Sequence, residues 1–244
     1  MKVPVDTWHR PPIRPRMASD EIHVWRFDLE LPEVEMDRRL GFLSIEEQER
    51  ANCFVFKKHR DFYIAARGAL RQTLGLYLHN DPATLQFSYA SHGKPFLRPE
   101  YNPQNIRFNV THSDGIALLA LAVGCEVGID IERVRTDFPY SEIAQRFFSA
   151  AEYAAFCATE PALRCATFFN YWTHKEAFIK AIGVGLSIPL NQFEVSLTPN
   201  VPAKLLSTTA QTPHHTFRAL SPRVGYVGAL AVIGRCTRMQ LWSH

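Results

Sequence analysis

The sequence has no run of apolar residues long enough to cross a membrane. Its longest apolar run, Ile116–Val123, has the length of a strand, whereas a membrane-spanning helix needs about 20 residues. The first residues carry arginine and proline without an apolar core, so we expect no signal peptide. The Walker A, HExxH and GxSxG patterns are also missing, which argues against P-loop nucleoside triphosphatases, zinc peptidases and serine hydrolases.

Cysteine is scarce and shows no pattern. The chain has 5 cysteines, an odd number, and no two of them form a CxxC pair. This usage predicts neither a disulfide framework nor a thiolate zinc site. We therefore expect a reduced, cytoplasmic setting.

The remaining composition is that of a globular protein. Of the 244 residues, 46% are hydrophobic and 21% are charged, so the chain can bury a sizeable core. The net charge of +3 is mildly basic, well short of a protein that coats nucleic acid. The charge suits an acidic partner, and we expect no nucleic-acid or membrane partner.

The order of predicted elements repeats along the chain. After a flexible tail rich in proline and arginine (residues 1–19), an N-terminal half (20–124) and a C-terminal half (125–244) each run from helices to antiparallel strands. The string Ala-Leu-Ala-Val occurs at 120–123 and again at 229–232, each time in the strand that closes its half. The sequence therefore predicts an α+β fold made of two similar halves.

Hydrophobic periodicity places the individual elements. Apolar residues at helical spacing predict a helix over 60–78, and further helices are predicted over 141–158 and 161–182. Ser44, followed by Glu46 and Glu47, indicates another helix start. The predicted strands are 22–29, 85–89, 106–110, 116–123, 126–132, 193–197, 216–220 and 226–233.

Two carboxylates lie two residues apart on one predicted strand. Alternate residues of a strand face the same side, so Asp130 and Glu132 point one way while Val127, Ile129 and Ile131 face the core. Adjacent carboxylates repel each other, and Mg²⁺ with its preference for oxygen ligands relieves that repulsion. The alternative is a solvated acidic face paired to nearby arginines.

A second charged pair lies on the predicted helix 161–182. Glu176 and Lys180 are four residues apart and share a face, with Trp172 one turn before them. Taken alone, this pattern fits a surface ion pair beside a core tryptophan.

A basic face is predicted on the helix over 60–78. Arg60, Arg67 and Arg71 fall on nearly one side of it. Guanidinium groups in this arrangement bind phosphates, but a solvated basic face explains the pattern equally well.

Together, these segments are more specific than any one of them. The C-terminal half carries Val127–Glu132, then Arg146–Ser149 with Glu152, then Trp172–Lys180, and the N-terminal half carries Gly93–Pro95 and Phe108–Ser113. In order and spacing they resemble the motifs of Sfp-type 4′-phosphopantetheinyl transferases. The resemblance implies two halves related by a pseudo-twofold axis, each with a small antiparallel sheet packed on a long helix. It places the active site at their interface.

The resemblance also implies a reaction. The family transfers 4′-phosphopantetheine from coenzyme A to a serine of an apo acyl or peptidyl carrier protein, which is holo-[acyl-carrier-protein] synthase activity. The other product is adenosine 3′,5′-bisphosphate. By resemblance, Asp130, Glu132 and Glu176 hold Mg²⁺.

The remaining site residues follow from the same resemblance. Glu176 is the candidate general base and Glu152 the alternative, while Lys180 neutralises charge on the phosphoryl oxygens. His112 and Thr111 resemble the family's contacts to coenzyme A phosphate. Further coenzyme A contacts are expected from Arg50, Arg67, Arg71, Lys94 and Pro95.

Partners and alternatives complete the prediction. Carrier proteins present an acidic helix, which a basic transferase attracts, and two fused halves need no oligomer, so we expect a monomer. The pathway served, whether of fatty acid, polyketide or nonribosomal peptide synthesis, is not indicated. One alternative is a catalytically silent coenzyme A or carrier-protein binding module of the same fold. A second alternative is a nucleic-acid-binding protein that uses Arg60, Arg67, Arg71 and the basic tail. A third is a metal-dependent nuclease, which does not explain the motifs together.

Overall fold

The computed structural model describes residues 5–183, 185–197, 203–207 and 214–243, and these form an α+β fold of two similar helix-and-sheet halves. The helices described are α1 (Glu33–Gly41), α2 (Ile45–Asn52), α3 (Lys57–Leu78), α4 (Tyr140–Phe147), α5 (Ala150–Ala158) and α6 (Pro161–Ile182). The strands described are β1 (Glu21–Asp28), β2 (Phe87–Tyr89), β3 (Pro95–Leu97), β4 (Ile106–Ser113), β5 (Ile116–Val123), β6 (Glu126–Arg133), β7 (Glu194–Ser196), β8 (Lys204–Ser207), β9 (His215–Leu220), β10 (Tyr226–Ile233) and β11 (Arg238–Ser243). The predicted fold class is confirmed.

The first sheet is covered by the long helix α3. Its strand order is β11-β1-β5-β4, and alternation along β5 explains how it packs on both faces. Leu119 and Leu121 face the core beneath α3, whereas Leu118 and Ala120 face the second sheet. Successive residues of this eight-residue apolar strand therefore pack alternately into two different cores.

The second sheet is smaller and is covered by α6. Its order is β6-β10-β9, and Phe178 and Phe217 belong to the core between this sheet and α6. The other face of β6 and β10 packs on the first sheet through Ile129 and Leu230. The two halves therefore meet through their sheets, with α3 and α6 on the outside.

The predicted helix over 141–158 is wrong, because it is two helices. α4 ends at Phe147, and Phe148 has extended backbone with φ −86° and ψ 152°. Ser149 then caps α5: its hydroxyl accepts from the Glu152 amide, and the Glu152 carboxylate accepts from the Ser149 amide. This reciprocal capping box starts a new helix where periodicity alone suggested continuity.

The C-terminal strand β11 was not predicted, and it crosses to the other half. It pairs in parallel with β1 and places Met239 beside Ile22. Part of the segment expected to be a flexible tail is hydrogen-bonded to β11. The His9 amide donates to the Leu241 carbonyl at 2.9 Å, and the His9 carbonyl accepts from the Ser243 amide at 2.9 Å. The boundary between halves near residue 124 stays a prediction.

The prediction that the cysteines form no disulfide is wrong. Cys125, just after β5, is bonded to Cys236, just before β11, across 111 residues of sequence. No local pattern reveals such a pair, because the pairing of β11 with the first sheet brings the two thiols together. The cysteine pattern therefore no longer supports a reduced setting.

Helix α1 and the short strands β3 and β8 were not predicted either. The remaining elements match their predicted ranges to within a few residues, and β4 runs beyond its predicted end at Val110 to Ser113. Among the described residues, no helix is both long and apolar enough to span a bilayer.

Candidate active site

Strand β6 carries the two predicted carboxylates on one face. Asp130 is buried, with 4% of its surface exposed, and Glu132 is partly buried. Ile129 and Ile131 alternate with them and enter the core between the sheets. The predicted division of this strand into an acidic face and a core face is confirmed.

Helix α6 brings a lysine against the first of these carboxylates. The Lys180 Nζ atom lies 2.5 Å from the Asp130 Oδ1 atom and 3.3 Å from the Thr111 hydroxyl. Thr111 also donates to Asp130 Oδ1 at 3.2 Å. Glu176 lies one turn before Lys180 on α6. The charge of Lys180 lowers the pKa of Glu176, and the charge of Asp130 raises it.

Gly128 sets the distance between β6 and α6. A Cβ atom at this position would lie 2.1 Å from the Ala177 carbonyl oxygen and 2.2 Å from the Ala181 amide nitrogen. Any side chain would push the two elements apart. Because Asp130 follows on the same face of β6, the absence of a side chain at Gly128 allows Lys180 to reach it.

Strand β4 aligns β6 through three short polar side chains on one face. The Asn109 side-chain oxygen accepts from the Ile129 amide at 2.9 Å. The Ser113 hydroxyl donates to Glu132 at 3.1 Å and accepts from an amide at 3.1 Å. The sequence analysis placed Asn109 and Ser113 in the Phe108–Ser113 motif but did not include them among the site residues. Their two-residue spacing with Thr111, which puts all three side chains on one face of the strand, was the available signal.

The three carboxylates are unfavourably placed as anions. Burial raises the pKa of Asp130, although Lys180 opposes the shift. Burial also raises the pKa of Glu132 and of Glu176, and repulsion from Asp130 adds to both shifts. A bound cation would relieve all three effects.

The oxygen atoms fit a hard cation, but they are not yet gathered around one point. Asp130 Oδ2 is buried and has no hydrogen-bond partner, which leaves one carboxylate oxygen free for a ligand. In the part of the chain described, no three His, Cys, Asp or Glu side chains form a group able to hold a metal ion as they stand. Any ion would have to draw the carboxylates together.

His112 lies beside this cluster on β4. Desolvation and the positive charge of Lys180 lower the pKa of the His112 imidazole. The ring therefore favours its neutral form, in which one nitrogen still donates a hydrogen bond.

Lys94 contacts the C-terminal half. Its Nζ atom lies 3.2 Å from each of three acceptors: the Glu126 carboxylate and the carbonyl oxygens of Val127 and Ala181. Pro95 follows as the first residue of β3.

Two of the three arginines of the predicted basic face lie around Glu47, whereas Arg60 pairs with Asp61. Arg67 and Arg71 both form ion pairs with the buried Glu47, and the Arg67 guanidinium stacks on Phe87 at 4.2 Å. Arg71 also donates to the Pro82 carbonyl at 2.8 Å. These groups line a cavity of about 580 Å³.

Two arginines of this region are held very differently. Arg71 is 2% exposed, and its guanidinium donates to Glu47 and to the carbonyls of Pro82 and Leu85. Arg50 lies over the Tyr63 ring at 5.6 Å and is exposed.

Glu152, the alternative base, is buried in a network of its own. Lys175 donates to both of its carboxylate oxygens, at 2.8 and 2.7 Å. The amides of Val195 and Ser149 occupy the same two oxygens, each at 2.8 Å. Four hydrogen bonds use the approximately four acceptor sites of a carboxylate. Lys175 belongs to the Trp172–Lys180 motif, but the sequence analysis gave it no role; its buried ammonium also donates to the Phe193 carbonyl.

Comparison with known proteins yields two adjoining family matches. Residues 126–231 match the 4′-phosphopantetheinyl transferase superfamily, and residues 32–123 match the family described as 4′-phosphopantetheinyl transferase, N-terminal. Both the β6–α6 cluster and the β4 residues lie inside the matched ranges.

Curated relatives match over most of the chain. The 4′-phosphopantetheinyl transferase HetI of Nostoc sp. is 37% identical over 238 residues, which cover 98% of each protein. The 4′-phosphopantetheinyl transferase Sfp of Bacillus subtilis is 33% identical over 171 residues, which cover 70% of this chain and 73% of that protein.

Solved structures give a more distant likeness. The holo-(acyl-carrier-protein) synthase of Bacillus anthracis, in complex with CoA (3′,5′-ADP), is 19% identical and has a TM-score of 0.39. It covers 44% of this chain and 94% of its own.

Proposed function

The chain belongs to the Sfp-type branch of the 4′-phosphopantetheinyl transferase superfamily, and from this premise we propose the reaction that its site performs. The enzyme transfers 4′-phosphopantetheine from coenzyme A to a serine of an apo carrier protein. One observation carries the proposal: Lys180 lies 2.5 Å from Asp130 beside Glu132 and Glu176. This arrangement of charges suits transfer of a pyrophosphate-linked group.

Three residues hold Mg²⁺ in this proposal: Asp130, Glu132 and Glu176. The free, buried Asp130 Oδ2 and the raised pKa values of the three carboxyl groups support the assignment. Oxygen donors are the ligands that Mg²⁺ prefers. When bound, the ion neutralises negative charge on the pyrophosphate of coenzyme A.

Glu176 takes the proton of the acceptor serine. The serine oxygen forms a bond to the phosphorus on the pantetheine side of the pyrophosphate. The bond from that phosphorus to the bridging oxygen breaks, and adenosine 3′,5′-bisphosphate leaves. We choose Glu176 over Glu152 because the oxygens of Glu152 are fully occupied by Lys175 and two amides. Lys180 offsets charge that develops on the phosphoryl oxygens.

Coenzyme A is held mainly by the N-terminal half in this proposal. Thr111 and His112 contact its phosphates, because they are next to Lys180 on the edge of the carboxylate cluster. Arg50, Arg67 and Pro95 stay candidates for its nucleotide end. Arg71 is left out, since its guanidinium is buried and bonded to Glu47 and to backbone carbonyls.

We also propose that the chain acts as a monomer. The side chains of the cluster come from β4, β6 and α6 of one chain, so the site is complete without a second copy.

The test is mass spectrometry of an apo acyl carrier protein incubated with this protein, coenzyme A and Mg²⁺. We expect the carrier to gain one phosphopantetheine, and the gain to disappear with EDTA. A folded protein that binds coenzyme A but modifies no carrier would instead be the silent binding module. Isothermal titration of Mg²⁺ into the protein, compared with Asp130→Asn, tests the metal assignment without relying on activity.

A further inference from the structure

Lys94 is bound to the end of helix α6 and the start of strand β6. Its ammonium lies 3.2 Å from each of three oxygen atoms, on Glu126, Val127 and Ala181. An ammonium has three N–H donors, so these contacts use all of them. The side chain is 17% exposed, which leaves little of it open to solvent.

Two of the three acceptors, Val127 and Ala181, are adjacent in sequence to residues that shape the carboxylate cluster. Ala181 follows Lys180, and its carbonyl is in the last turn of α6, where helix carbonyls lack partners within the helix. Val127 precedes Gly128, the residue that lets β6 approach α6. Lys94 therefore joins the two elements close to where they touch, and its charge favours the negative end of the helix.

The turn that carries Lys94 holds the same region by a second contact. The His92 Nε2 atom lies 2.6 Å from the hydroxyl of Ser187, in the segment after α6. His92 also packs on Gly185, where a Cβ atom would come within 2.9 Å of it. The backbone of the turn is fixed by a hydrogen bond from the Ala90 amide to the Lys94 carbonyl at 2.9 Å.

We propose that Lys94 is a positioning residue of the transfer reaction, which holds the last turn of α6 against β6 so that Lys180 and Glu176 stay beside Asp130. This role replaces the coenzyme A contact expected from the sequence, because the ammonium has no donor left for a phosphate. The inference rests on the proposed function.

The test compares Lys94→Met with Arg107→Met in steady-state transfer assays. Arg107 also pairs with Glu126, at 3.4 Å, but it is half exposed and contacts neither Val127 nor Ala181 through its guanidinium. It is therefore a matched control for loss of one cation beside the same carboxylate. KM for coenzyme A, kcat and inhibition by adenosine 3′,5′-bisphosphate are measured for each variant at saturating Mg²⁺.

We expect Lys94→Met to lower kcat by about 10-fold or more, because small displacements of reacting groups are costly. KM for coenzyme A and inhibition by adenosine 3′,5′-bisphosphate should stay within about twofold of the starting protein. Arg107→Met should change none of the three. A large rise in KM and weaker inhibition, with kcat unchanged, would show that Lys94 binds coenzyme A and would overturn the proposal.

A second variant covers the case in which Lys94→Met does not fold. Lys94→Arg keeps the charge and supplies donors in a different geometry, so we expect a reduced kcat with KM unchanged; an unchanged kcat with a raised KM contradicts the proposal. If the starting protein transfers nothing, the proposed function has failed. If it transfers and the variants behave as coenzyme-binding mutants, only this inference has failed.

Discussion

Lys180 and Asp130 form an ion pair of 2.5 Å that joins α6 to β6 at the centre of the candidate site. The pair satisfies only one oxygen of Asp130, since Oδ2 is buried without a partner. The aspartate is thus held in place by one oxygen while the other is left for a ligand. This relationship separates a site built for binding from a buried ion pair whose oxygens are all occupied.

Replacing Asp130 should abolish activity and preserve the fold. Burial already disfavours its carboxylate, so Asp130→Asn should change the melting temperature by only a few degrees. We expect at least a 100-fold loss of transfer, as is typical of lost electrostatic stabilisation. Glu142→Gln, which alters an exposed carboxylate of α4, is the control and should keep full activity. Near-normal transfer by Asp130→Asn would remove this residue from the metal site.

A side chain at Gly128 should separate β6 from α6. Gly128→Ala puts a methyl group about 2 Å from backbone atoms of α6, and such overpacking costs about 1–3 kcal/mol or more. Urea unfolding should show that loss, and transfer should fall with it. Gly41→Ala is the control, since nothing lies within 4 Å of the added atom. Equal stability of the two variants would mean that the close approach does not matter.

Breaking the Lys175–Glu152 pair should be more damaging than removing it. Both side chains are almost completely buried, so Lys175→Met leaves an unpaired carboxylate and should cost about 3–5 kcal/mol. The double variant Lys175→Met/Glu152→Gln should recover part of that loss. Chemical unfolding of Lys175→Met, Glu152→Gln and the double variant measures the coupling between the two side chains, and simple additivity of the two single losses would contradict the prediction.

Stabilisation by Mg²⁺ should depend on pH in a defined direction. The pKa values of Asp130, Glu132 and Glu176 are raised in the folded protein. Their contribution to stability is therefore fully present at low pH and is lost as the pH rises past the folded pKa values. Mg²⁺ binds the anions, so it should raise the melting temperature by several degrees near pH 7.5 and by much less near pH 4.5. An equal effect at both pH values, or one retained in Asp130→Asn, would contradict the proposed ligands.

The disulfide should stabilise the junction between the halves. Cys125 and Cys236 are separated by 111 residues, and closing a loop of that size is worth about 2–5 kcal/mol. Cys236→Ser should lower the unfolding free energy by that amount under oxidising conditions and have a smaller effect with reductant present. Cys157→Ser, which changes an exposed free thiol, is the control. If Cys236→Ser is as stable as the oxidised starting protein, both with and without reductant, the disulfide contributes nothing to stability.

Local pattern determined much of this protein from the sequence. Two-residue alternation placed Asp130 and Glu132 on one face of β6, and four-residue spacing placed Glu176 and Lys180 on one face of α6. These are properties of a few consecutive residues, so one sequence suffices to predict them. Residue chemistry alone did not distinguish a catalytic role of Glu176 and Lys180 from a surface ion pair. The order of the motifs along the chain indicated the family and with it the catalytic role.

Only the tertiary structure decided how distant segments use their side chains. It assigned the oxygens of Glu152 to Lys175 and two amides, paired Arg71 with Glu47, and turned Lys94 towards α6. It also joined Cys125 to Cys236 and carried β11 across to β1. Whether a carboxylate is free for a metal or occupied by a buried lysine depends on which residues the sheets and helices bring within about 3 Å, and nothing in the local sequence encodes that distance.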